Sequence, residues 1–193
     1  MSEIAVRHRV RAAVFAAKVA AVGPDQWSNP SPCEGWTARD VVGHVVGMHA
    51  AMLGPVGRSL SRAPSVEEDP LAAFVSACAD IESLLADPSV AARPIETPMG
   101  RLSAERHVDQ VASADMVLHG WDLARATGQD DTIDPAELEA MWPAVQRIPP
   151  KMRIPGAFGP GIVVYGPEVE VPGDAPLQHR VLGLLGRDPH WSA

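Results

Sequence analysis

Apolar residues recur every three or four positions over five stretches of the chain. That period puts apolar side chains on one face of an α-helix. The first stretch, about 3–22, carries Val6, Val10, Val14, Ala17 and Ala21 with arginines between them; these five are the expected core stripe. The second, about 38–53, has Val41, Val45, Met48 and Met52, with Thr37 as N-cap and Asp40 at N3 in a shortened capping box. Its Gly43 and Gly47 each cost roughly 1 kcal/mol of helix propensity against Ala. They flank His44 and are expected to let another helix or a ligand come close. The third stretch, about 70–86, starts with Asp69 as cap and Pro70 at N1, and buries Leu71, Phe74, Val75, Cys78, Ile81 and Leu85. Asp87-Pro88 ends it. Residues 89–102 are expected to be extended, with a turn at Gly100. The fourth stretch, about 104–127, runs from Ser103 as N-cap to Gly128 as stop. A fifth begins at Asp134-Pro135, with Glu137 in a capping pattern, and Pro143 should kink or end it.

The prolines mark the boundaries. There are 19, and they cluster between the helical stretches and over residues 149–176. In that last region 161–165 and 168–171, around Gly166-Pro167, read as a short hairpin. A final helix, about 175–185, should stop at Gly186. The expected fold is mainly α: an up-and-down four-helix bundle over 1–148 with a small Pro/Gly-rich C-terminal appendage over 149–193. The appendage is expected to pack on the bundle and to hold the hairpin and the last helix.

Charge narrows the function. Sixteen Lys and Arg face 24 Asp and Glu, a formal net charge of −8. Neutralising phosphates needs clustered cations, so nucleic-acid and membrane-surface partners are not expected. No apolar run reaches the roughly 18 residues of a membrane span. The N-terminal stretch has no charged-then-apolar leader pattern. The two cysteines, Cys33 and Cys78, are too few for a disulfide framework. The expectation is a cytoplasmic chain with reduced thiols and a small-molecule substrate.

The fourth stretch holds the candidate chemistry. Its stripe runs Val108, Ala112, Asp115, His119, Leu123. Asp115 and His119 are four apart and share one helical face, the face a bundle buries. On the second helix His44 is the polar member of the apolar face. An uncompensated buried carboxylate costs several kcal/mol, and a divalent metal compensates it. Two imidazoles and a carboxylate make a three-ligand site of the catalytic zinc kind, with a fourth position open. Zn²⁺ is the first expectation; Ni²⁺ and Fe²⁺ suit the same ligands. An Asp–His pair at this spacing is also the pattern of a surface ion pair, and spacing alone does not separate the two. His8, His49, His107, His179 and His190 read as solvated polar residues. Cys33 reads as a half-buried small residue with no visible His partner, Cys78 and Trp121 as packing, and Asp122 as a cap or an outer partner of a ligand.

These residues carry a resemblance. The run Ser31-Pro32-Cys33-Glu34-Gly35-Trp36-Thr37 through Gly43-His44-Val45, after Trp27, resembles the entry to the second helix of actinobacterial DinB-like metal-binding proteins. These are similar to the N-terminal domain of mycothiol-dependent maleylpyruvate isomerase. The run from Asp115 through His119-Gly-Trp-Asp122 to Gly128 resembles the second signature of that family. Phe158-Gly-Pro160 and the run from Leu184 to Pro189 resemble its C-terminal stretch. The resemblance implies a four-helix bundle with a metal at one end, held by His44, Asp115 and His119, and a homodimer. The isomerase has Glu where this chain has Asp115, and many other members have His.

Two neutral imidazoles and one carboxylate leave a formal +1 on a divalent ion, which attracts and deprotonates a thiol. The expected function is a low-molecular-weight-thiol-dependent transferase or isomerase acting on a small electrophile. The resemblance implies mycothiol as cosubstrate. A metal-dependent hydrolase and a non-catalytic metal-binding or small-molecule-binding protein are the alternatives.

Overall fold

The structure, a computed structural model, describes residues 2–97, 100–154 and 164–192. By its contacts the chain divides into two compact units, Met1–Asp131 and Thr132–Ala193. Caps fix the helix boundaries in the first unit. Helix α1 (Glu3–Ala20) starts at Ser2, whose side chain accepts from the Ala5 amide. Helix α2 (Ala38–Leu53) has the full capping box, Thr37 and Asp40 each accepting from the other's backbone amide. Helix α3 (Pro70–Ala86) has Asp69 bonded to the Ala72 amide and Pro70 at its first position.

A four-residue helix, α4 (Pro88–Ala91), follows at once because Asp87 also caps it, so 89–102 is only partly extended. Strands β1 (Pro94–Thr97) and β2 (Gly100–Ser103) pair antiparallel, Ile95 against Leu102. Gly100 takes a φ of 103°, a turn conformation that favours glycine.

The fourth bundle element is not one α-helix. Helix α5 (Ala104–Val108) passes through a π-helical turn (Asp109–Ser113) into helix α6 (Ala114–Thr127). Side chains of α1 hold both ends of the π turn. Arg7 grips Asp109 through two bonds of 2.8 and 2.7 Å, and His8 Nδ1 lies 3.0 Å from Ser113 Oγ. Helix α6 ends at Gly128 in the left-handed region, as the sequence suggests.

Helices α1 and α2 each pack mainly on α3 and α6. They therefore stand diagonally across the bundle. The core falls into two clusters. One gathers Met52, Leu53, Ile81, Leu84 and Val108; the other gathers Phe15, Val41, Val45, Phe74, Met116 and Leu123. Burying each such side chain contributes roughly 1.5–3 kcal/mol.

The first helix is turned relative to expectation. Its buried residues are Ala5, His8, Ala12, Phe15 and Val19, while Val6, Val10 and Val14 are 47%, 57% and 55% exposed. The buried set is spaced 3-4-3-4, which keeps one seam facing a partner; the valines are spaced 4-4. Val75 of α3 is likewise exposed. Gly43 and Gly47 do not admit a close helix, because a Cβ at either would meet nothing within 4 Å.

The second unit holds helices α7 (Pro135–Val145) and α8 (Leu177–Leu184). Pro143 sits in the last turn of α7, which ends two residues later. The Arg180 guanidinium lies 4.4 Å over the Trp142 ring. Arg153 donates to the Gly166 and Leu184 carbonyls at 2.9 and 2.6 Å. Of the hairpin expected over 161–171, residues 161–163 lie outside the described residues, and 164–171 form no strand. The described hairpin is β1–β2. Among the described residues no helix is long and apolar enough to cross a membrane.

Candidate metal centre

The capping box starts α2 so that His44 falls at the end of its second turn, facing Asp115 of α6. There the sequence-predicted residues meet. Nε2 of His44 lies 3.1 Å from Asp115 Oδ2, and Nε2 of His119 lies 3.3 Å from Asp115 Oδ1. The two imidazole centroids are 4.7 Å apart and nearly perpendicular. One ligand atom from each of the three residues lies within 4.8 Å of the others. His44 and Asp115 keep 31% and 22% side-chain exposure while His119 keeps 6%, so the group opens on the His44 side.

The donor set fits a divalent cation. Asp115 Oδ2 is buried and, despite its closeness to His44, has no aligned hydrogen-bond partner. A carboxylate so placed, Oδ2 toward His44 and Oδ1 toward His119, has the arrangement a cation would satisfy. Asp122 supplies the rest. It is fully buried, and its Oδ2 accepts from His119 Nδ1 at 2.8 Å. That bond fixes the tautomer and turns Nε2 toward Asp115, as carboxylates behind metal-bound histidines do. The sequence alone left Asp122 between a cap and an outer partner; in the structure it pairs with His119.

Two neighbours were not foreseen. The Cys33 thiol donates to the same Asp122 oxygen at 3.3 Å and lies 4.0 Å from His119 Nδ1. Cys33 is half-buried, as expected, but it does have a His beside it. The Trp36 ring lies 4.9 Å from that of His44 and 5.9 Å from that of His119, stacked on the latter. The short-range signal for both was their place in the loop that feeds α2.

Without a cation the charges settle on a proton. Burial pushes the Asp115 carboxyl up, but His119 and then His44 outweigh this and hold it well below the usual range. Burial disfavours a charged His119, yet Asp115, then Asp122 and Cys33, hold its proton well above the ordinary value. The His119 imidazolium bridges two carboxylates, and its Nε2 proton, facing Asp115, is the one a metal would displace.

The other histidines divide. His179 and His190 meet edge to face at 5.2 Å within the second unit, and His107 is half-buried. His8 and His49 are fully buried, against expectation. The helical period placed His8 outside an apolar stripe that in fact faces solvent. A cleft of about 420 Å³ bounded by Ser2, Arg9, Glu82 and Glu105 shares no residue with the metal candidates.

Comparison with known proteins gives the family of the chain. Residues 8–124 match the family model described as the mycothiol maleylpyruvate isomerase N-terminal domain. The chain is also 30% identical over 174 residues to uncharacterised proteins from two strains of Mycobacterium tuberculosis, covering 90% of this chain and 91% of theirs. No solved structure matches. The matched span contains His44, Asp115, His119 and Asp122, and the chain belongs to the mycothiol maleylpyruvate isomerase N-terminal domain family.

Proposed function

We propose that this protein is a metal-dependent enzyme that uses a low-molecular-weight thiol, mycothiol, in transfer to or isomerisation of a small electrophile. His44, Asp115 and His119 would hold the metal, with Zn²⁺ as the first choice. The observation that carries the reading is the Asp115 carboxylate set between two imidazoles, its Oδ2 without an aligned hydrogen bond and one of the rings oriented from behind by Asp122. A divalent ion there supplies a Lewis acid with a net charge of +1 and an open position, which favours a thiolate over a thiol. The chain's own residues do the remainder. Asp122 holds the proton on His119 Nδ1 and so keeps Nε2 facing Asp115. Trp36 covers both imidazoles on one side and excludes water there. Approach is left along the His44 side, where Gly43 and Gly47 place no side chain.

The test is absorption spectroscopy of the Co²⁺-substituted protein during titration with mycothiol. A thiolate-to-cobalt charge-transfer band that grows and saturates is expected. Cys33 also carries a sulfur, so Cys33→Ala should keep the band. Intact Co²⁺ binding without the band would contradict thiol use and favour water activation by the same ligands.

A further inference from the structure

The family match does not explain a second group of donors inside the bundle. His8 on α1, His49 on α2 and Cys78 on α3 meet with ligand atoms within 4.8 Å of one another. His8 and His49 are 0% exposed and Cys78 is 7%. They bridge the bundle diagonal, with ring centroids of His8 and His49 5.6 Å apart. His8 and His49 fall between the two apolar clusters: Ala5, Met52, Ile81 and Val108 belong to one, and Ala12, Val45, Phe74, Met116 and Cys78 itself to the other. A polar layer that splits a core in two gives up apolar contact, so its chemistry asks for a reason.

Hydrogen bonding accounts for part of it. His49 Nδ1 lies 2.7 Å from the Val45 carbonyl, which can only accept, so the proton is on Nδ1 and Nε2 bears a lone pair. That lone pair faces Cys78 Sγ at 3.7 Å. His8 is the residue this leaves over. Its Nδ1 pairs with Ser113 at the end of the π turn, and its Nε2, buried in the same layer, has no partner. When Nδ1 donates to Ser113, His8 Nε2 becomes a second bare lone pair. π turns recur at functional sites, and this one sets the position of Ser113.

We propose that His8 Nε2, His49 Nε2 and Cys78 Sγ form a second metal site, buried in the bundle and selective for copper(I). Thiolate and imidazole suit that soft ion. For bond lengths near 2.3 Å to sulfur and 2.0–2.1 Å to nitrogen, a three-coordinate site spaces S and N about 3.8 Å apart, close to the 3.7 Å seen. Charge selects the monovalent ion. Binding breaks the Cys78 S–H bond, forms an S–Cu bond and releases the proton to solvent, with no change of oxidation state. One positive charge enters as one leaves, and the layer stays neutral. A divalent ion would leave a buried +1 in the layer, offset only from outside it by Glu82 and Asp109 beside His8 and by Asp115 beside His49. The layer is kept ready for this exchange. Burial, then His49, lowers His8 to about 4, so it is unprotonated at neutral pH. Burial likewise lowers His49 and pushes the free Cys78 thiol up to about 12, so only a metal would strip its proton.

The test is anaerobic titration of the full chain with copper(I) against a colorimetric copper(I) chelator, with X-ray absorption on the 1:1 complex. One sulfur and two nitrogen scatterers are expected. Cys33→Ala should keep both affinity and the sulfur signal. Cys78→Ala should remove the sulfur and weaken binding by more than about 100-fold, the upper end for loss of an outer partner alone. His8→Phe keeps the ring's bulk and should lower the nitrogen count by one, which guards against misfolding of Cys78→Ala; circular dichroism checks both variants. Copper(I) bound without sulfur, a sulfur signal lost with Cys33, or affinity unchanged in Cys78→Ala would overturn the proposal and leave a thiol–imidazole hydrogen bond only.

Discussion

Asp122 accepts from His119 Nδ1 and so decides which way that ring faces. Asp122→Asn keeps the shape and loses the charge. It should lower divalent-metal affinity by about 10–100-fold, measured by competition with a chelator, while the circular dichroism spectrum stays that of the parent. His8 gives a separate test through stability. Its ordinary value of 6.5 falls to about 4 in the fold. Between those values the unfolded chain binds a proton that the folded chain refuses, so stability is full above about pH 6.5 and declines as pH falls through the window. The loss reaches about 3 kcal/mol at most for this one group. Urea midpoints of the metal-free chain should drop between pH 7 and 4.5, and His8→Phe should flatten that slope. An unchanged slope would mean the burial of His8 has little energetic weight.

At the scale of elements, the ends were more legible than the faces. Asp69-Pro70 and Thr37 with Asp40 placed α3 and α2 because capping chemistry is local to a few residues. Thr37→Ala breaks the box that starts α2 and should cost about 1 kcal/mol, read as a lower denaturant midpoint. The face of α1 was not legible. Three valines outweighed alanines and a histidine in any hydropathy pattern, although the 3-4-3-4 spacing with Phe15 at its centre was the better sign. The π turn was also hidden, since its cause is tertiary: Arg7 and His8, a hundred residues away, hold Asp109 and Ser113. The candidate ligands were found because Asp115 and His119 share a face through i, i+4 spacing within α6, beyond the π turn. Their neighbours Cys33 and Trp36 were visible as residue types only, because what brings them to His119 is the packing of the α2 entry loop against α6; Asp122 was legible because it stands three residues from His119 on the same helix.

The whole molecule combines a helical unit that carries the donor groups with a second unit rich in proline and glycine. A ligand that binds only the folded state stabilises it by mass action. A divalent metal held at 100 times its dissociation constant should add roughly 2.7 kcal/mol to the unfolding free energy of the first unit. Calorimetry should show its transition rising with Zn²⁺ and staying put in His44→Ala. The central claim is that His44, Asp115 and His119 hold a divalent metal. The most direct measurement is elemental analysis of the purified chain after loading and removal of excess ion, beside Asp115→Ala treated alike. The account predicts one equivalent of divalent metal bound by the parent and lost in the variant. A parent that retains no metal, or a variant that retains as much as the parent, would contradict it.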